Sequence, residues 1–241
     1  MRYRLKYDLH THTTYSHGKG SIEDNVKAAA ARGLEALAIT DHGPGSMLFG
    51  MDPERVPEMR REIERLQPLY PQVKILLGVE ANITVPSGHL DVTDELRQEL
   101  DLVLAGYHCA ALGENPWKAA VVHLRNMAGI SSRRLAILNT ESVVRAVYES
   151  EFKILTHPGD KGQFHMEEIA RACADRGVLM EINNGHDALN EETIRICAGT
   201  DAAFIINSDA HLPQNVGAFE RALGRALAAG LDPARIVNIE A

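Results

Sequence analysis

The sequence predicts an α/β fold built on parallel strands, and three observations carry that expectation. Seven short runs rich in Val, Ile and Leu alternate with helical patterns along the 241 residues. The runs show little polar alternation, which marks strands covered on both faces. Each run is followed by a loop and a helical stretch before the next one begins, the rhythm of successive βαβ units. A closed parallel barrel and a doubly wound open sheet both satisfy these conditions, and element order alone leaves the two open.

In chain order, a first strand is expected over residues 3–10. Ser21 then caps a helix, with Asp24 three residues on, and an alanine-rich stretch runs to Gly33 as its stop. The second strand covers residues 36–40, and Pro53 opens a helical region over 54–69 that ends before Pro71. A third strand over 73–79, a short helix over 94–99 and a fourth strand over 102–107 follow. Helices are expected over 117–127 and 140–149, then a strand over 152–156 and a helix over 166–176. The last units are a strand over 178–182, a helix over 191–198, a strand over 203–207 and a helix over 216–229. No Ser/Gly linker, charge block or repeat divides the chain. Residues 1–241 are therefore expected to form one domain, a length that a single α/β barrel commonly reaches.

Composition narrows the class. With 45% hydrophobic and 24% charged residues the chain is globular, and a formal charge of −8 gives no general basic surface for long nucleic acid. Three cysteines rule out a disulfide-stapled scaffold and suit a reducing cytoplasm. No apolar run approaches the roughly 18 residues that span a bilayer. The opening Met-Arg-Tyr-Arg-Leu-Lys-Tyr lacks the apolar core of a signal peptide, so a cytoplasmic location is expected. Eleven histidines are far more than packing requires.

Those histidines gather at strand ends. The first strand ends Asp8-Leu9-His10-Thr11-His12, and residues two apart on a strand share a face, so His10 and His12 can meet one ion. Asp8 lies one step further in on that face, where a carboxylate can orient a histidine. The last strand repeats the pattern with Asp209 and His211. Between them, strand ends carry Asp41-His42, Glu80, His108 and His157, and His17 lies in the loop after the first strand. One histidine near a strand end is commonly a hydrogen-bonded structural residue. Seven of them with two carboxylates in register are not explained that way, and their convergence favours the barrel, which gathers all strand ends around one mouth. His89, His123 and His165 read as structural, whereas His186, in the loop after the sixth strand, is a candidate substrate contact.

Together, His10-Thr11-His12-Thr13, Thr40-Asp41-His42-Gly43, Gly78-Val79-Glu80, Gly106-Tyr107-His108, Thr156-His157-Pro158 and Ser208-Asp209-Ala210-His211 resemble the polymerase and histidinol phosphatase (PHP) superfamily. The likeness runs in order over nearly the whole chain and is nearest to small bacterial PHP phosphatases. It implies a distorted (β/α)7 TIM-like barrel holding three divalent metal ions, Zn, Mn or Fe. One ion would be held by His10, His12, Glu80 and Asp209, a second by His17, His42 and His211. The third would take His108 and His157, with Glu80 bridging from the first. Asp8, Asp41, Glu181 and Asn183 would support these ligands. Residues 110–134 match nothing in the pattern and are expected to shape the substrate mouth.

Imidazoles with a carboxylate bridge suit borderline divalent metals. Ions clustered within roughly 3.5–4 Å turn a shared water into hydroxide near neutral pH and polarise a phosphoryl group, so no protein nucleophile is needed. Cys109 beside His108 is read as packing, because adjacent strand residues face opposite ways. Lys19, Arg125, Arg133 and Arg134 are candidates for holding the rest of the substrate. The mouth is expected to be an electropositive pocket for a small anion. The expected activity is hydrolysis of small phosphomonoesters. The alternatives are histidinol phosphate hydrolysis, nuclease-type diester cleavage and a metal-stabilised binding domain without turnover. No feature of the sequence sets the oligomeric state.

Overall fold

Seven parallel strands wrap into a nearly closed barrel with helices outside. The computed structural model describes residues 3–109, 111, 113 and 115–241. A short β1 (Arg4–Leu5) precedes the barrel strands β2 (Tyr7–Asp8), β3 (Ala36–Ile39), β4 (Lys74–Asn82) and β5 (Leu102–Gly106). The barrel continues with β6 (Ile154–Leu155), β7 (Leu179–Asn183) and β8 (Phe204–Asn207), each parallel to its neighbour in chain order. The connecting helices are α1 (Ile22–Ala31), α2 (Val56–Leu66), α3 (Asp94–Gln98), α4 (Pro116–Met127) and α5 (Arg133–Glu149). They continue with α6 (Met166–Arg176), α7 (Glu191–Ala198) and α8 (Glu220–Ala228), and β9 (Ile239–Glu240) ends the fold. The barrel is the expected choice over the open sheet. No helix of the described residues is long and apolar enough to cross a membrane.

Local chemistry explains the elements. The Ser21–Asp24 capping box opens α1. In α2, Val56, Met59, Ile63 and Leu66 recur every three or four residues and form one buried stripe. In the barrel the two-residue period sorts side chains by face. Ala105, Leu155, Phe204 and Ile206 join the layer between strands and helices, whereas Leu104, Ile154 and Ile205 form a separate small cluster. Leu104 is paired in register with Glu80, and Ile205 with Glu181. This cluster is an apolar floor beneath the polar end of the barrel.

Several boundaries differ from expectation. The run over 3–10 divides at Lys6, because β1 pairs antiparallel with β9, an element with no signal of its own. β4 continues three residues past 79 and so carries Glu80 and Asn82 within the strand. α5 begins at Arg133 because Ser132 accepts a cap bond from the Leu135 amide. α8 starts only at Glu220, after Gly217 at φ 74.

The seam between first and last barrel strands accounts for the distortion. Among the described residues β2 and β8 make no strand ladder; Thr11 and Ala210 form one parallel bridge beyond them. Side chains do the rest. The Leu9 amide donates to Asn207 Oδ1 at 2.9 Å, and buried Asp8 accepts from the amides of Ser208 (3.1 Å) and Gly217 (2.8 Å). Asn238, fully buried, donates from Nδ2 to the carbonyls of Tyr7 (2.9 Å) and Ile206 (2.6 Å) and accepts from the Ile206 amide at 3.0 Å. Asn238→Ala leaves three buried backbone groups without partners. It should cost about 2–4 kcal/mol, read as a lower urea midpoint at unchanged m-value.

Candidate metal centre

The strand ends bring eight donor side chains to one mouth, and the loop after β2 adds His17 as a ninth. His10 and His12 follow β2, His42 follows β3, Glu80 lies in β4, and His108 and His157 follow β5 and β6. Asp209 and His211 follow β8. Glu80, fully buried, is their hub. Its Oε2 faces His42 Nδ1 at 2.9 Å, His10 Nε2 at 3.3 Å and His12 Nε2 at 3.6 Å. Its Oε1 faces His157 Nε2 at 2.9 Å and His108 Nε2 at 3.3 Å, and accepts a bond from Thr156 Oγ1 at 2.7 Å. Asp209 Oδ1 lies 3.1 Å from His12 Nε2. Donor atoms within 4.8 Å of one another form three overlapping groups, His10–His12–Asp209, His12–His42–His211 and His42–Glu80–His108. His17 stands beside the second group, its ring 4.2 Å from His211 and 4.9 Å from His42.

Whether these residues suit divalent cations can be tested on their hydrogen bonding. Glu80 Oε2 and Asp209 Oδ1 are buried yet receive no hydrogen bond, although a buried carboxylate oxygen ordinarily has a donor. The Nε2 atoms of His10 and His12 face each other at 3.1 Å, and those of His108 and His157 at 3.2 Å. Three imidazoles are anchored through Nδ1, on Glu181 Oε1 (His10, 2.8 Å), Asn82 Oδ1 (His108, 2.8 Å) and the Asp209 carbonyl (His211, 3.0 Å). If each Nδ1 carries the proton, each Nε2 lone pair is free to bind a metal ion. The donor set fits divalent metal ions.

Electrostatics agree. Burial would raise the Glu80 carboxyl, but His108, His10 and His42 hold it well below the ordinary range. Burial acts likewise on Asp209 and is outweighed by His10, His12 and His186. Burial, reinforced by His42, pushes His12 well down, and burial with His211 and His42 lowers His17 to about 4. His10 goes the other way: burial would lower it, but Glu181, Glu80 and Asp209 pull it well up. Ionised carboxylates beside the lowered imidazoles of His12 and His17 are the state a cation requires, and at His10 a bound cation would take the place of the proton that the carboxylates favour.

The surroundings are built to hold the donors. Glu181 accepts from His10 Nδ1, from the His157 amide and from Asn183 and Asn207, each at 2.8 Å. Asn183 also donates to Asp209 Oδ2 at 3.1 Å. Asp41 accepts from the Thr13 amide and hydroxyl at 2.7 and 2.6 Å, fixing the turn that leads to His17. At Gly106 a Cβ would fall 2.7 Å from His108 Cε1 and 3.1 Å from Glu80 Oε1, so glycine is required there. Three non-glycine residues have positive φ among the described residues, His157 (28°), Asp209 (54°) and Lys161 (60°). All three line the mouth, where backbone strain is characteristic of functional sites.

A cavity of about 340 Å³ opens above the donors. His186 lines it, with Nδ1 3.0 Å from Asp160 and Nε2 3.4 Å from Asp209; those two carboxylates raise it to about 10. The expected substrate cations fall elsewhere. Arg125, Arg133 and Arg134 are exposed and do not line the cavity. Lys19 is exposed as well and contributes its amide to the His211 carbonyl at 2.8 Å. Lys161, 3.0 Å from Asp160, lines the cavity together with the raised His186; both are paired with carboxylates, so the walls alone are not strongly electropositive. Asp8 accepts from the His10 amide at 3.4 Å, while the His10 imidazole rests on Glu181.

Cys109 corrects the packing expectation. β5 ends at Gly106, so strand alternation no longer governs residue 109, and its half-buried side chain lines the cavity. Burial raises the thiol, which argues against a thiolate nucleophile. Of the segment 110–134, residues 110, 112 and 114 lie outside the described residues, and Met127 reaches the cavity. His123 is buried in α4 with Nε2 3.2 Å from the Ala111 carbonyl, as a structural histidine. Sequence reasoning missed Phe49, Asp160 and Lys161. Their only signal was position in loops just past strand ends.

Comparison with known proteins places this arrangement. The model of the PHP domain family matches residues 8–185. The chain belongs to the PHP family. A probable phosphatase of Syntrophotalea carbinolica is 31% identical over 98% of this PHP chain and 92% of its own length. Another, of Acetivibrio thermocellus, is 31% identical over 89% and 83%. Among solved structures, histidinol phosphate phosphatase of Lactococcus lactis, complexed with zinc, L-histidinol and phosphate, has a TM-score of 0.65. It is 19% identical, with 95% of each chain covered, and so shares the fold. The PHP match stops at 185, before Asp209 and His211.

Glu181→Ala keeps all nine donors but frees the His10 ring and the His157 backbone. It should weaken divalent-metal affinity about 10–100-fold, measured by titration against a metal-buffering chelator.

Proposed function

We propose that the protein is a metal-dependent phosphoesterase that hydrolyses small phosphomonoesters, with residues 1–241 acting as one domain around a trinuclear centre. The observation that carries the reading is Glu80, whose two oxygens face two different sets of imidazoles, as a bridging ligand must. In this assignment His10, His12, Glu80 and Asp209 would hold one ion and His17, His42 and His211 a second. His108 and His157 would hold the third together with Glu80. The probable-phosphatase names of the relatives support a phosphoester substrate, and a cavity of about 340 Å³ suits a small one.

Bound divalent ions supply acidification of water and polarisation of phosphoryl oxygens. The chain's own residues supply the geometry. Glu181 and Asn82 fix the proton on Nδ1 of His10 and His108 and aim each Nε2 at the centre. Lys161 presents an ammonium to the cavity, held by Asp160, where it can meet an anionic ester. Phe49 lies against the His17 ring at 4.3 Å and limits water on that side.

Elemental analysis of the purified protein should find about three divalent ions per chain, zinc, manganese or iron; none or one would sink the trinuclear assignment. The metal-loaded protein should hydrolyse a generic aryl phosphate. His42→Ala and Asp209→Ala should each lower kcat/KM at least about 100-fold, a loss of about 2.7 kcal/mol of transition-state stabilisation. A panel of monoesters, diesters and histidinol phosphate on which the wild type is inert would overturn the reading.

A further inference from the structure

The cavity above the donors has two unlike parts. Its base is imidazole and carboxylate, but its rim carries Leu48, Phe49 and Met127, which are 72, 44 and 70% exposed. Large apolar side chains held in water around a polar site need a reason, since contiguous exposed apolar surface marks a binding site. Their placement is built. The Phe49 amide donates to Ser46 Oγ at 3.3 Å, the Gly50 amide to the Ser46 carbonyl at 3.2 Å, and the Met51 amide to the His42 carbonyl at 3.0 Å. The loop bearing Leu48 and Phe49 is thus tied to a donor residue, and the Phe49 ring lies 4.3 Å from that of His17. Met127 closes α4, which is fixed on its other side by buried Ala119, Val122 and His123.

Of the polar groups at the rim, Asp160 is already paired with Lys161 and His186 at 3.0 Å each. A polyol brought against Leu48, Phe49 and Met127 would lose water from hydroxyls that find no new partner. An aromatic ring there gains apolar burial and ring contacts.

We propose that the alcohol portion of the substrate is an aromatic group received by Phe49, Leu48 and Met127, so that the site favours aromatic over polyol phosphomonoesters. This inference rests on the phosphoesterase reading above.

The test compares benzyl phosphate with glycerol 1-phosphate on the metal-loaded protein; both leave as alkoxides, so the difference reports recognition. In parallel, calorimetry measures binding of two non-hydrolysable probes, benzylphosphonate and 2,3-dihydroxypropylphosphonate. The kcat/KM ratio should favour the benzyl ester at least about tenfold, the low end of what an apolar pocket delivers for small structural differences. The binding ratio should follow. Both ratios should fall at least about fivefold in Phe49→Ser and in Met127→Ser, exposed positions whose replacement leaves the fold intact. Ratios near one in the wild type, or ratios that neither variant moves, overturn the inference. If neither ester turns over but the phosphonate ratio holds and falls in both variants, the inference stands and the hydrolase reading falls.

Discussion

Two buried carboxylates surrounded by imidazoles set the terms for the rest of this structure. Glu80 and Asp209 are held as anions away from water, and each has an oxygen that no hydrogen bond satisfies. Such oxygens are tolerable only where positive charge is brought to them. To present imidazoles to both faces of Glu80, the ends of β2, β3, β5 and β6 must stand around β4, which a closed barrel does and a row of strands does not. Smaller features follow from the same demand. Gly106 is bare so that His108 and Glu80 can approach, and His157 and Asp209 adopt positive φ to turn their side chains inward.

The site was readable in the sequence to the extent that its chemistry is local. A His-x-His at a strand end places two rings on one face whatever the rest of the fold does, so His10, His12, Asp209 and His211 stand out without coordinates. Glu181 and Asn183, likewise two residues apart on one strand, both touch the donors. Pairings between distant residues left no such mark. The division of the first strand depends on Ile239 and Glu240 at the far end of the chain, and nothing near Lys6 announces it. Lys19 lies two residues past His17, a candidate ligand, and contributes its amide to the His211 carbonyl, whereas Lys161, at a left-handed backbone position, lines the cavity.

The barrel also separates stability from chemistry along its axis. Leu104, Ile154 and Ile205, with Leu179 against them, fill the lower interior, and two residues further along each of β7 and β8 the lining turns to Glu181 and Asn207, which bond each other. Rigid apolar packing below lets the layer above carry strain and unpaired oxygens without loosening the whole. The helices outside are joined to the strands through a continuous apolar layer.

The β1–β9 ribbon places the beginning and the end of the fold side by side, with Arg4 opposite Glu240 and their side chains bonded at 2.7 Å. Because β1 precedes the barrel strands whose far ends form the mouth, this ribbon sits at the blind pole. Any segment attached before Arg4 or after Glu240 departs from that pole, on the side remote from ions and substrate. Arg4 and Glu240 are also near enough that a short linker between them would close a ring, which could be reopened in an outer loop. A chain reopened that way keeps the loops around the mouth, and the donors they carry, uncut.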